Sequence, residues 1–387
     1  MRAVVVGGGI VGASAAFHLA RSGAQVDLID SHAPGRATLA GAGIICPWLS
    51  QTRDPRYETL AFAAVRYYPA LVAELAAAGE TGVDYAAVGG LVVGSARDQL
   101  EAVSQRLQSY LDRGVTEVGQ VRLLEPGGPK SLFPYLDPAL AGLYLSGAIR
   151  VSGESLRLAL LSAATKAGAR QWSGTATLER SGRMGVSARV QGELLRADVV
   201  VVAAGAWSVE LCRPLAVHLE VEPQRGQILH LKVEDASTAS WPLIVPVLSE
   251  YYLLGFGEGR IVMGATRESG SGFDFRITAG GVAEVLQEGL RIAPDLKTAT
   301  LAEIRVGFRP MTRDCLPLLG RPGSIPGLVI ATGLGRYGLT VGPYVGRLAA
   351  QLAVGETPEL DVACFEPERR VGARQRFDGG STRSHSG

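Results

Sequence analysis

The sequence predicts an α/β fold with an α+β second domain: parallel βαβ units interleaved with blocks of antiparallel sheet. Three observations predict it. The first thirty residues read as strand, glycine-rich turn, helix, strand and terminal acid. Two more apolar runs ending in glycine, ADVVVVAAGAWS (197–208) and PGLVIATG (326–333), recur far down the chain. Between them lie blocks rich in β-branched and aromatic residues with a GEG turn at 257–259. The chain therefore weaves between two domains. Segments 1–80, 142–212 and 306–368 are assigned to the parallel domain, 81–141 and 213–305 to the antiparallel one. The polar tail 371–387 reads as disordered.

The N-terminal unit is specific. Residues 3–6 are a short β-branched run, a buried strand. Gly7, Gly9 and Gly12 give G-x-G-x-x-G. Gly7 permits a tight turn, Gly9 lets backbone approach a pyrophosphate, and Gly12 allows helix and strand to pack closely. Ile10, Ala13, Ser14, Phe17 and Ala20 repeat at helical spacing, and Gly23 ends the helix. The helix N-terminus offers N–H groups and a positive dipole to phosphate. Residues 25–30 form a second strand ending in Asp30, about 20 residues past the glycines, where an acid accepts hydrogen bonds from a ribose. This is a Rossmann-like dinucleotide grip; by itself it fits FAD or NAD.

The remaining elements follow in order. Residues 35–50 are small and Gly-rich, suited to backbone lying against a flat ligand. Residues 57–79 and 97–112 read as helices, and 123–140 as a proline-rich loop. A helix spans 151–169, with Leu156, Leu160, Leu161 and Ala164 inward and Gly168 closing it. Weak alternation runs to 192. Residues 197–208 are a buried strand running into a glycine turn, and 217–265 several antiparallel strands. Residues 278–293 are helical, and 326–332 form a last buried strand before a Gly-rich segment and a helix.

Composition narrows the function. Of 387 residues, 47% are hydrophobic and 19% charged, enough for a large core. The 38 basic and 37 acidic residues leave a net charge of +1, so no basic field favours nucleic acid. None of the four cysteines forms C-x-x-C or a zinc spacing with the five scattered histidines, so no metal site is expected. The cysteine usage suits a reducing compartment, and a cytoplasmic protein is expected. The start of the chain reads as a buried strand rather than a signal peptide. No run of about 18 unbroken apolar residues suggests a membrane span; peripheral membrane contact and oligomerisation stay open. A small molecule is the expected partner.

The stretch GFRPMTRDCLPLLG (307–320) reads as neither an ordinary helix nor a central strand. It sets Arg309 before Pro310, which stiffens the backbone and disfavours a helical conformation at Arg309. A guanidinium fork matches a carboxylate in bidentate geometry. Arg309 reads as the anchor of a substrate carboxylate; a structural salt bridge is the alternative.

Together these blocks resemble the FAD-dependent amino-acid oxidoreductases, the D-amino-acid dehydrogenase and glycine oxidase group, related more distantly to sarcosine oxidase. The resemblance covers about residues 2–368. It is carried by VVVGGGIVGASAAFHLARSG, AGAGIICPWLS, VVVAAGAWS, PQRGQ, GRIVMGATRE, GFRPMTRDCLPLLG and PGLVIATGLGRYGLTVGPYVGRLAAQLAVGETPELD. It implies an FAD-binding domain interleaved with a substrate-binding domain. Gly7, Gly9, Gly12 and Asp30 would hold the ADP half; Arg36, Thr38, Ala42 and Gly43 would run along the pyrophosphate and flavin. Ala204, Gly205 and Trp207 would close the adenine side. Gly333, Arg336, Tyr337, Gly338, Leu339 and Thr340 would cover the flavin ring, and the helix after them would point its N-terminus at the pyrimidine end. Arg309 falls where such enzymes place the arginine for the substrate carboxylate. Arg336 matches a second active-site arginine, and Tyr252 a substrate-side tyrosine that could equally be core.

Two departures matter. Leu334 stands where many relatives have His, and Cys315 where they have Gly. The cysteine that links to flavin in sarcosine oxidases lies earlier in the chain, so noncovalent FAD is expected. The implied reaction is oxidative deamination of a D-amino acid, glycine or N-alkyl glycine. A hydride passes from Cα to flavin N5, and the imino acid hydrolyses to a 2-oxo acid. Oxygen, a quinone or another acceptor would take the electrons. The alternatives are a specialised biosynthetic amine oxidase, an electron-transferring dehydrogenase subunit, and a non-catalytic flavoprotein assembly partner.

Overall fold

The computed structural model describes residues 1–181, 185–234 and 236–369; the tail expected over 371–387 lies outside them. A six-stranded sheet runs in the order Leu318–Gly320, Leu328–Thr332, Val199–Val202, Arg2–Val6, Gln25–Asp30, Arg170–Ser173. Every pair is parallel except the first. Ala3 pairs with both Val199 and Val26, so the N-terminal strand sits at the centre. This strand and the strands Val199–Val202 and Leu328–Thr332 are buried on both faces, which is why they are apolar runs rather than alternating ones.

Successive residues of these strands feed two cores. Ala3, Val5, Val201 and Val329 pack under the helices Ile10–Arg21, Gly153–Lys166 and Gly338–Val354. Val4, Val6, Val200 and Val202 pack against Leu178, Val186, Ala188 and Val190 of a small antiparallel sheet. The helix Pro55–Ala77 is long and apolar enough to cross a membrane. Here Tyr57, Leu60, Tyr68, Leu71 and Leu75 bury it in the protein core.

The second sheet has nine strands and is mostly antiparallel. Its backbone is the pair Glu222–Lys232 and Thr300–Met311. A third core lies between this sheet and the amphipathic helix Ala279–Ile292. The turn at 257–259 joins Tyr252–Gly255 to Arg260–Gly264 in a hairpin. The strands Ala141–Leu145 and Thr300–Met311 belong wholly to this sheet. Residues 142–145 and 306–311 therefore sit in the antiparallel layer, not in the parallel one to which the sequence assigned them.

Residues 307–311 are the end of the twelve-residue strand Thr300–Met311, which lies at an edge and is neither helical nor central. Pro310 is tolerated because this strand pairs with only one neighbouring strand, and there it faces Pro223, which has no N–H to offer either. That register sets Arg309 opposite Gln224 and Gly307 opposite Gly226.

Candidate active site

A single cavity of about 830 Å³ runs from the carboxyl ends of the parallel strands to the face of the antiparallel sheet. Open parallel sheets bind ligands at those strand ends. Of the residues singled out from sequence, Gly7, Gly9, Asp30, Arg36, Thr38, Ala42, Gly43, Ala204, Gly205 and Trp207 line it. So do Arg336, Tyr337, Gly338, Leu339, Thr340, Arg309 and Tyr252. Gly12 and Gly333 do not. Gly12 works behind the wall: a Cβ there would stand 1.8 Å from the Gly7 carbonyl oxygen. Gly333 has φ +74° and packs against Thr312, shaping the turn rather than touching the cavity.

The nucleotide end is made of closely approaching backbone. Gly7 has φ +107°, and a Cβ on it would lie 2.4 Å from the Ala203 carbonyl oxygen. Gly9 caps the helix Ile10–Arg21 without a side-chain bond, and the Thr38 hydroxyl accepts from Ile10 N–H at 3.0 Å. Asp30 is buried in an ion pair with Arg157 at 2.9 Å, and Arg36 donates to the same oxygen at 3.2 Å. The Arg157 Nε also donates to the Gly8 carbonyl. Arg157 was not anticipated. The signal was an arginine in the inward stripe of an otherwise apolar helix face, where a long side chain rarely goes unpaired.

This end suits a dinucleotide. Among the described residues the other Asp30 oxygen takes the His32 backbone N–H alone, leaving acceptor capacity for a hydroxyl. The buried Nε of Arg36 has no acceptor among the described residues. Gly205 and Gly338 line the cavity, and a Cβ on either would enter open space. The helix Gly338–Val354 begins at the cavity wall, so its N-terminal dipole is directed at the cavity. Beside it, the Tyr337 hydroxyl bonds Ser50 at 2.6 Å and Thr52 at 3.0 Å, closing the loop after Cys46 against this wall.

The substrate end is made of side chains. Arg309 donates to the Thr266 carbonyl at 3.0 Å and to Gln224 at 3.4 Å. Among the described residues no carboxylate forms an ion pair with it. Burial, and then the neighbouring Arg267, pull its pKa down to about 10, so it stays cationic at neutral pH. Tyr252 packs over Gly264 and is pushed up by burial, while Arg309 and Arg267 pull it down. Arg336 does not stand alone: it pairs with Glu250, whose other oxygen binds Arg267 Nε at 2.7 Å. Arg267 and Glu250 were missed. Arg267 lies in the short segment between the strands Arg260–Gly264 and Glu268–Ser269, and Glu250 in the bend before Tyr252–Gly255, where no periodicity marks a functional side chain.

Of the four cysteines only Cys46 lines the cavity, and burial pushes its thiol well above the ordinary range. No metal-ligating cluster of His, Cys, Asp and Glu occurs among the described residues.

Comparison with known proteins agrees with this geometry. A family model described as FAD dependent oxidoreductase matches residues 2–352. An uncharacterized oxidoreductase of Bacillus subtilis (strain 168) is 42% identical over 94% of this chain and 98% of its own length. Glycine oxidase of Geobacillus kaustophilus (strain HTA426) is 31% identical over 95% of this chain and 97% of its own. Among solved structures, iminodiacetate oxidase from Chelativorans sp. BNC1 superposes with a TM-score of 0.91. It is 43% identical, covering 95% of this chain and 99% of that one.

Proposed function

The chain belongs to the FAD-dependent oxidoreductases that act on amines and amino acids, and on that premise we propose that it oxidises glycine or an N-substituted glycine. The product is an imine, which water hydrolyses to a 2-oxo acid and an amine. One observation carries the reading: Arg309 is a half-buried cation on the cavity wall that forms no ion pair with a carboxylate among the described residues. A buried charge is costly until a partner arrives, and a substrate carboxylate is that partner. The names of the relatives narrow the class. Iminodiacetate is itself a glycine whose nitrogen carries a second carboxymethyl group.

FAD, when bound, supplies the hydride acceptor. The residues of the chain do the rest. Arg309 fixes the carboxylate, and with it the direction in which Cα–H points. Gly7, Gly9, Asp30, Arg36 and the start of the helix Gly338–Val354 hold the cofactor. We take the cofactor to be noncovalent: burial disfavours the thiolate that a cysteinyl link through Cys46, the cysteine on the cavity wall, would need. No side-chain base is needed if the amine enters neutral, so kcat/KM rises with pH as the substrate amine deprotonates. The test is anaerobic titration of the holoenzyme with D- and L-amino acids, glycine, sarcosine, proline and iminodiacetate. Bleaching of the flavin band by the glycine group alone supports the reading; bleaching only by D- or L-amino acids with large side chains overturns it. Admitting air then separates oxidase from dehydrogenase.

A further inference from the structure

At the substrate end of the cavity Arg267 and Arg309 line the wall with Glu250, and the Glu250 carboxylate is shared between Arg267 and Arg336. The other acids on the cavity wall among the described residues are Asp30, held by Arg157, and Glu210, paired with Arg213. One amino-acid carboxylate on Arg309 would thus leave Arg267 with a shared counter-charge, and a cation partly withdrawn from water is costly until an anion matches it.

Arg267 is the cation best placed for that ligand. Its Nε is fixed by Glu250 Oε2 at 2.7 Å, Nη1 by the Ala265 carbonyl at 3.0 Å, and Nη2 by the Glu250 carbonyl. These bonds lock the plane of the guanidinium while using three of its five N–H groups. Arg267 also lies close enough to Arg309 to lower its pKa, and both act on Tyr252. Arg336, by contrast, sits in the Gly335–Tyr337 turn beside the cofactor wall. The pair Arg309 and Arg267 is therefore a two-point anion site on the antiparallel sheet, with Glu250 as the brace that orients its second point.

We infer that Arg267 determines specificity by receiving a second carboxylate of the substrate while Arg309 receives the first. The preferred substrates are then N-substituted glycines that carry a second acid group. This rests on the role given to Arg309 above.

Binding tests it without turnover. The holoenzyme is titrated with unreactive anions, acetate against malonate, succinate and glutarate, following the perturbation of the flavin spectrum. The best-fitting dicarboxylate should bind at least about 10-fold tighter than acetate, as one added charge-assisted contact gives. Arg267→Gln should bring that ratio down to about 1, and Arg267→Lys to an intermediate value, with FAD still bound in both. The ratio of kcat/KM for iminodiacetate over sarcosine should fall in step. No dicarboxylate advantage in the wild type, or an unchanged ratio in FAD-replete Arg267→Gln, overturns the inference and leaves the Arg309 reading standing. Acetate binding that survives Arg309→Leu unchanged overturns both.

Discussion

The nucleotide end of the cavity is walled by backbone and the substrate end by side chains. At the first, Gly7 and Gly12 stand so close to carbonyl groups that no Cβ fits, and the helix Ile10–Arg21 begins at the cavity wall. At the second, Arg309, Arg267, Tyr252 and Glu250 project from separate strands and turns of one sheet. A backbone site tolerates almost no substitution but serves any protein that holds the same cofactor. A side-chain site can change its substrate by changing two or three residues. The scaffold that fixes FAD and the face that chooses the substrate are thus physically distinct, although they share one cavity.

The sharpest way to break the first half is Gly12→Val. Its Cβ would meet the Gly7 carbonyl oxygen at 1.8 Å, and that oxygen belongs to the turn on which the grip depends. Either the helix moves off the sheet or the turn opens. Loss of at least about 3 kcal/mol of stability is expected, as for severe overpacking of a core. The purified protein should be colourless, with a lowered Tm. A yellow Gly12→Val protein of normal Tm would show that the close approach is not required.

This contrast explains what the sequence disclosed. The grip was legible because backbone contacts demand glycines at fixed local spacing, and spacing survives in a linear string. The βαβ pieces near 200 and 330 were legible because central parallel strands must be apolar on both faces. Arg309 was legible only through its proline and the family resemblance. Its neighbours were not. Gln224 is brought to it by strand register, and Arg267 and Glu250 by the segments flanking the paired strands Tyr252–Gly255 and Arg260–Gly264; such pairing is a long-range property that no local pattern encodes. The same blindness moved residues 142–145 and 306–311 to the wrong layer. Their sequence gives strand propensity but not the sheet they join.

The substrate half is broken most directly by Arg309→Leu, and here stability and function should move in opposite directions. The folded value for Arg309, about 10, lies below its ordinary 12.5. The charged form is therefore disfavoured by folding at every pH below about 10. That penalty eases only as pH rises from there towards 12.5, where the folded protein sheds the proton first. Removing the cation should raise the stability of the ligand-free holoenzyme at pH 7 by about 1–3 kcal/mol. The same change should weaken carboxylate binding by about 2–4 kcal/mol, read as a rise in KM, with FAD content unaltered. A fall in Tm with unchanged KM would instead make Arg309 a structural residue.

Gly226→Ala sharpens the comparison further, because it is a glycine at the side-chain end. Gly226 faces Gly307 across the ladder, and a Cβ on it would lie 2.6 Å from both Nη atoms of Arg309 and 2.7 Å from its Cζ. This collision differs from the one at Gly12. The obstacle is the far end of a flexible side chain, which can swing aside, rather than a fixed carbonyl. The fold and the FAD should therefore survive. What should suffer is the aim of the guanidinium, since a fork rotated away from its bidentate geometry keeps its charge but loses one of two bonds. A loss of about 1 kcal/mol in carboxylate binding is expected, roughly a fivefold rise in KM, with Tm little changed. Loss of FAD from Gly226→Ala would mean that the two ends are mechanically coupled through the strand Thr300–Met311. That strand also meets the cofactor loop where Phe308 N–H donates to the Gly35 carbonyl at 2.8 Å.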